Sequence, residues 1–192
     1  LARISRIPGM SDTYVAVNVS PLQFDASLPV KLSTLLGRYA IRPSRLVIEI
    51  TEAVLMHDNP EIRRLLDEIR NIGCRIALDD FGTGYSSLSY LSRFPVDIVK
   101  IDQSFIRSLN NGDDDIDRRN KMLIEGIAAI SHKMNCHVVA EGVETEYQRS
   151  TLIDMGIEYA QGYYFARPQA IGDVLTMLNA DRSGDRIDSI AS

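Results

Sequence analysis

Cysteine, histidine and long apolar runs are all scarce in this chain of 192 residues. Cys74 and Cys136 are the only two cysteines. Each lies just before or within an apolar run, so buried free thiols in a reducing compartment are expected rather than a disulfide framework. No apolar stretch approaches the length of a membrane span, and no secretory signal is visible. Basic residues are not in excess: the formal charge is -5 and the pI near 5.2. That balance argues against a general binder of DNA, RNA or acidic membrane surfaces. No short-period repeat is found. The first residue is Leu1, and the chain is expected to be a piece of something longer. The apolar content of 45% is ordinary for a globular domain with a sizeable core, and the length favours one domain.

What the sequence does contain is one event repeated. A short apolar run stops at a single polar residue: Val15-Ala16-Val17 at Asn18, Leu46-Val47-Ile48 at Glu49, Ile76-Ala77-Leu78 at Asp79 and Asp80, Ile98-Val99 at Lys100, Val138-Val139-Ala140 at Glu141, and Tyr159-Ala160 at Gln161. These runs predict strands at residues 14–18, 46–50, 75–80, 97–101, 137–141 and 158–161. Between them lie apolar residues at helical spacing: Leu28, Leu32, Leu35, Leu36 and Tyr39; Ile62, Leu65, Leu66 and Ile69; Met122, Ile127 and Ile130. Asn59-Pro60-Glu61 reads as a helix start and Gly73 as its end. Thr145 and Gly156 bound another helix.

Strands alternating with helices mean α/β with a parallel sheet. The strands are apolar throughout, so both faces are expected to be buried. A barrel of parallel strands with its site at their C-terminal ends writes this pattern, but a closed barrel wants eight strands and about 250 residues. Six strands leave two open edges, and the missing strands are expected before Leu1. Residues 1–180 form the expected domain, with a polar mobile loop at residues 110–115 and a frayed tail at residues 181–192.

Four of the strand-end residues are carboxylates, Glu49, Asp79, Asp80 and Glu141, joined by the amides Asn18 and Gln161 and by Lys100. Adjacent carboxylates at a strand end are tolerated mainly where a cation sits between them. A set rich in oxygen and free of histidine suits Mg²⁺ or Mn²⁺ better than Zn²⁺. Two such cations are a standard device for phosphodiester hydrolysis, and Lys100 could bond the attacking water or stabilise phosphorane charge. His57, His132 and His137 fall outside this set and are expected at the surface or in the core. Asp102 is expected to cap a helix, and the Tyr163-Tyr164-Phe165 run to pack at the core and rim.

In order and spacing, six segments resemble the EAL domain, the bacterial cyclic di-GMP phosphodiesterase. They are Asn18-Val19-Ser20-Pro21, Glu49-Ile50-Thr51-Glu52, the run from Asp79-Asp80-Phe81-Gly82 through Thr83-Gly84-Tyr85-Ser86-Ser87-Leu88, Val99-Lys100-Ile101-Asp102, Ala140-Glu141-Gly142-Val143-Glu144 and Gln161-Gly162-Tyr163. The resemblance implies a modified (β/α)8 TIM-type barrel, of which about six βα units are present here. It implies hydrolysis of cyclic di-GMP to linear pGpG with two Mg²⁺ or Mn²⁺ ions per site. Asn18, Glu49 and Asp79 would bind the first metal; Asp79, Asp80 and Glu141 would bind the second. Lys100 would contact the nucleophilic water, with Asp80 and Glu141 as its catalytic companions. Gln161 and Asn18 would hold the ligand, and Glu52 would anchor the loop after Asp80. Glu144, read apart from the resemblance, is expected to support its loop rather than bind a metal. The loop over residues 81–91 is associated in the family with metal binding and dimer contacts.

The chain also departs from the family. The namesake Glu-Ala-Leu motif, with one first-metal ligand, is absent; Glu52-Ala53-Val54 belongs to another motif. The intact parent is expected to be the enzyme, and this chain alone weak or inactive. The expected partners are cyclic di-GMP, a second copy in a homodimer, and fused sensory or diguanylate cyclase domains, with no DNA or RNA polymer. The expected location is cytoplasmic, with the parent anchored to the inner membrane face through other domains where it has them. The alternatives are an inactive receptor that binds cyclic di-GMP and signals through a partner, and an interaction piece that folds by strand exchange.

Overall fold

A computed structural model describes residues 1–55, 59–82, 87–109 and 115–180. His57, residues 83–86 of the glycine-rich run, residues 110–114 of the polar loop and the 181–192 tail lie outside the described residues. The strands are β1 (Val15–Asn18), β2 (Leu46–Thr51), β3 (Arg75–Phe81), β4 (Ile98–Ile101), β5 (His137–Glu141) and β6 (Tyr159–Gln161). The helices are α1 (Leu28–Arg38), α2 (Glu52–Leu55), α3 (Pro60–Ile72), α4 (Ser87–Arg93), α5 (Gln103–Arg107), α6 (Asp115–Lys133), α7 (Glu146–Asp154) and α8 (Ile171–Ala180). The six strands pair in sequence order and all in parallel. Each crossover returns to the next position, which rolls the sheet into a half-barrel.

The register explains where each side chain goes. Ala77 lies opposite Glu49 and Ile98, Val139 opposite Lys100 and Tyr159, and Gln161 opposite Glu141. Residues two apart share a strand face. Val47, Ala77, Ile98 and Val139 pack together as one buried apolar layer, with Tyr159 against it. Two residues further along the same strands come Glu49, Asp79, Lys100, Glu141 and Gln161. The polar layer therefore sits on the floor that the apolar layer provides, at the C-terminal ends of the strands.

The opposite face carries the larger core. Ile48, Ile50, Ile76 and Leu78 pack with Leu32, Leu36, Leu65, Leu66 and Ile69 of α1 and α3. Ile101, Val138 and Ala140 pack with Ile106, Ile124, Ala128 and Leu152 of α5, α6 and α7. The helix ends are set by their own residues. The Asn59 side chain accepts from Glu61 N–H with Pro60 in the first turn, Asp102 accepts from Ser104 N–H, and Thr145 with Gln148 forms a capping box.

Three sequence expectations need correction. Burial on both faces holds for β2, β3 and β4 but not for β1 and β6, whose residues are largely exposed or half-buried; each has one paired neighbour among the described residues. The inward face of α6 is Asp117, Ile124, Ala128 and Ser131, while Met122 is 67% exposed. Two polar residues on the buried stripe shifted the apparent helical phase. Part of the segment expected as a loop over residues 81–91 is helical, as α4.

The segment before β1 forms a strap held at the start of β2. Ile4 and Ile7 are buried. Arg45, 6% exposed, donates to the Thr13 and Met10 carbonyls and to Ser5 Oγ at 2.7, 2.9 and 2.6 Å. One planar guanidinium meets three acceptors from a segment with no strand of its own. Arg45→Met should therefore lower unfolding stability by about 3 kcal/mol. Arg45→Lys should recover little of it, because an ammonium lacks the fork. Urea denaturation with limited proteolysis of residues 1–13 checks this; a loss under about 0.5 kcal/mol, the range of an ordinary surface change, would show that the strap is held by its apolar residues alone.

Candidate metal centre at the strand ends

The half-barrel brings together residues that lie far apart in sequence. Lys100, 5% exposed, extends its ammonium from β4 into three carboxylates. Its Nζ lies 3.0 Å from Glu49 Oε1 on β2, 2.8 Å from Asp79 Oδ1 on β3 and 2.6 Å from Glu141 Oε1 on β5. Gln161 at the end of β6 donates through Nε2 to the same Glu141 oxygen at 2.5 Å. Burial alone would pull the Lys100 pKa down; hydrogen bonds to Asp79 and Glu141, and their charges, outweigh it and hold the group well above its ordinary value. For Glu141, burial dominates and pushes the carboxyl up, with Lys100 opposing it.

Asp80 requires a separate explanation, because alternation along a strand would turn it away from Asp79. The β3–β4 register shifts between Leu78 and Phe81, and Asp80 takes φ +54°, in the left-handed region. Such an irregularity re-aims a side chain, and aspartate is among the few residues that tolerate that conformation. Carboxylate oxygens of Asp79, Asp80 and Glu141 consequently all lie within 4.8 Å of one another. Burial, then the neighbouring Asp79 and Asp102 charges, push the Asp80 carboxyl above its usual range. The backbone just beyond is tied down: Gly82 N–H donates to Glu52 Oε1 at 3.2 Å, and Glu52 is itself buried.

The residues present fit a divalent cation. Glu49, Asp79 and Glu141 surround one ammonium, and Asp80 joins Asp79 and Glu141 within 4.8 Å, an excess of negative charge made of hard oxygen donors. Asn18 stands in register with Glu49 at the exposed edge of the sheet, beside the carboxylate knot and outside its ion pairs. His132 pairs with Glu158 at 2.9 Å, and His137 packs edge-on against Tyr159, both away from the knot.

A cavity of about 490 Å³ opens beside Glu141 and Gln161. Gln103, Arg107, Glu144, Tyr163 and Arg167 are among its wall residues, and the Arg167 guanidinium lies 4.5 Å over the Tyr163 ring. Strand-end reasoning missed Gln103, Arg107 and Arg167, which come from a helix and a loop. Only their place just beyond Lys100 and Gln161 in sequence signalled them. Glu144 lines this wall and is not one of the close acidic trio.

A family model described as "EAL domain" matches residues 1–168. Over 168 residues the chain is 39% identical to the bifunctional diguanylate cyclase/cyclic di-GMP phosphodiesterase MucR of Pseudomonas aeruginosa, covering 87% of this chain and 24% of MucR. The chain thus spans about a quarter of that relative's length. A solved MucR phosphodiesterase in complex with c-di-GMP superposes with a TM-score of 0.80 at 36% identity, over 90% of this chain and 70% of that one. The manganese and cyclic di-GMP complex of Klebsiella pneumoniae BlrP1 superposes with a TM-score of 0.75 at 29% identity, over 87% and 42% of the respective chains.

The knot generates a signed prediction. Lys100→Met leaves Glu49, Asp79 and Glu141 without their shared cation, and should cost about 3–5 kcal/mol at neutral pH. Crowded carboxylates without a counter-ion have raised pKa values when folded. The folded state then binds more protons than the unfolded one, so stability falls as pH rises. Raised Asp80 and Glu141 carboxyls give the wild type some of the same dependence, so the variant should regain more stability than the wild type as pH drops from 7 toward 5. Urea melts across that range check it; parallel profiles for the two proteins would contradict the assigned ion pairs.

Proposed function

The chain belongs to the EAL domain family, and on that premise we propose that it forms the catalytic face of a divalent-metal-dependent phosphodiesterase that hydrolyses cyclic di-GMP to linear pGpG. The observation that carries this reading is the convergence of Asp79, Asp80 and Glu141 beside a lysine buried among carboxylates. Asn18, Glu49 and Asp79 would hold one Mg²⁺ or Mn²⁺ ion, and Asp79, Asp80 and Glu141 a second. Bound there, the cations would supply Lewis acidity toward the phosphodiester.

The chain's own residues do the positioning. Water adds to phosphorus, the bond from phosphorus to one ribose 3′ oxygen breaks, and that oxygen leaves as the 3′ hydroxyl with a proton. Gln161 fixes the Glu141 carboxylate through its Nε2 donor. Lys100 has three N–H donors, and in this structure three carboxylates engage them. To donate to the attacking water, Lys100 must release one of these partners, so its role depends on the carboxylates turning to another cation. The wall beside Glu141 offers Tyr163, Arg167 and Arg107 to the rest of a dinucleotide.

The same reading includes fused sensory or diguanylate cyclase domains in the complete gene product, supported by the chain's small share of MucR, itself named as bifunctional. It includes a homodimer joined around α4, as the family resemblance suggests. A cytoplasmic location follows for a nucleotide messenger and agrees with two buried free cysteines. Among the described residues, no helix is long and apolar enough to cross a membrane.

The complete gene product should convert cyclic di-GMP to pGpG with Mg²⁺ or Mn²⁺ but leave cyclic AMP intact. Ca²⁺ should bind and support little turnover, because its looser geometry positions water poorly. Asp80→Asn, which keeps a residue tolerant of positive φ, should reduce kcat at least about 10²-fold with little change in folding. Nucleotide chromatography with each metal checks both. Undiminished turnover in EDTA would sink the reading, and tight binding without turnover would mark the protein as a receptor.

A further inference from the structure

We propose that Gln148 is a positioning residue that sets the wall of the cavity beside Glu141, and through it the affinity for the part of the substrate beyond the scissile phosphate. The inference rests on the phosphodiesterase reading above. Gln148 lies on α7, is 6% exposed and is outside the residues that line the cavity. Its Oε1 accepts from the Glu144 and Thr145 N–H groups at 2.7 and 3.1 Å. Its Nε2 donates to the Ile106 carbonyl of α5 at 3.1 Å. One buried carboxamide thereby ties the segment that follows Glu141 at the end of β5 and carries Glu144 to the short helix that carries Gln103 and Arg107.

The two segments also touch directly at the cavity. A Cβ on Gly142 would lie 2.6 Å from Gln103 Cβ, so nothing larger than glycine fits between them. The segment after β6 is locked on from the other side: Val143 N–H donates to the Gln161 carbonyl at 3.0 Å, and Tyr164 N–H to the Val143 carbonyl at 2.9 Å. The cavity is walled by all three segments. Helix α5 has only five residues and cannot hold its own orientation. Core packing of Ile106 holds one side of it, and the Gln148 bond adds a buried polar tie to the segment after β5.

The chemistry of the tie is specific to an amide. It needs one oxygen that accepts twice and one nitrogen that donates. Glutamate keeps the acceptors but turns an anion toward the Ile106 carbonyl, and methionine keeps the volume but neither function. A wall that loosens should weaken ground-state and transition-state binding alike, which raises KM and spares kcat.

The test uses Gln148→Met and Gln148→Glu in the complete gene product with Mn²⁺ and cyclic di-GMP. Both variants should raise KM about tenfold, the cost of one buried hydrogen bond, with kcat per folded molecule within about threefold. A role confined to stability would lower the melting temperature and leave KM unchanged, and that result overturns the proposal. Hydrogen exchange on the wild type provides a readout independent of variant folding. The Glu144 and Thr145 amides should be protected before any nucleotide is added, and rapid exchange there would also overturn the proposal. Absence of cyclic di-GMP turnover by the wild type, with those amides protected, would instead reject the phosphodiesterase reading.

Discussion

The buried ammonium of Lys100 is the interaction on which the upper end of this half-barrel depends. Parallel strands deliver carboxylates from β2, β3 and β5 to one spot, because the inner face of each strand places a polar residue two positions beyond an apolar one. Three carboxylates in contact with a single nitrogen would repel strongly at low exposure, and like charges cannot all remain ionised there without a cation. Lys100 supplies that cation within the chain. A buried pair is weak evidence for net stability, so the arrangement points to chemistry. The charges that require a lysine at rest are the charges that can hold divalent ions.

The two ends of the sheet divide the work. At the strand starts, Asp97 accepts from Ile76 N–H and from the Arg70 guanidinium at 2.8 and 3.0 Å, and its carbonyl accepts from His137 N–H at 3.0 Å. One residue thus knits the beginnings of β3, β4 and β5, while Arg45 closes the strap beneath β2. At the strand ends the polar groups face each other. In barrels of this type the end opposite the loops carries stability, and the C-terminal face carries the site.

Much of this was legible in the sequence, for physical reasons. An apolar run that stops at one polar residue is what a buried strand with a functional end must look like, and all six strands fall within two residues of their expected bounds. The period of two makes Val47 and Glu49, Ala77 and Asp79, Ile98 and Lys100, and Val139 and Glu141 legible as floor and site. The pairing of Asp79 with Asp80 was legible from their adjacency and the family resemblance, but the backbone device behind it was not: alternation sends neighbours to opposite faces, and a register shift with positive φ reunites them. The phase of α6 was misread because Asp117 and Ser131 lie on its buried stripe. The cavity wall escaped because Gln103, Arg107 and Arg167 are ordinary polar residues whose meaning arises only when three segments meet at the cavity.

The most direct measurement of the central claim is diffraction from crystals of the complete gene product grown with Mn²⁺, using the anomalous signal of the metal. The account predicts a peak in contact with the carboxylates of Asp79, Asp80 and Glu141, with Lys100 retaining fewer than the three carboxylate partners it has here. A saturating concentration of Mn²⁺ that gives no peak at this trio, or that leaves Lys100 bound to Glu49, Asp79 and Glu141 as before, would contradict it.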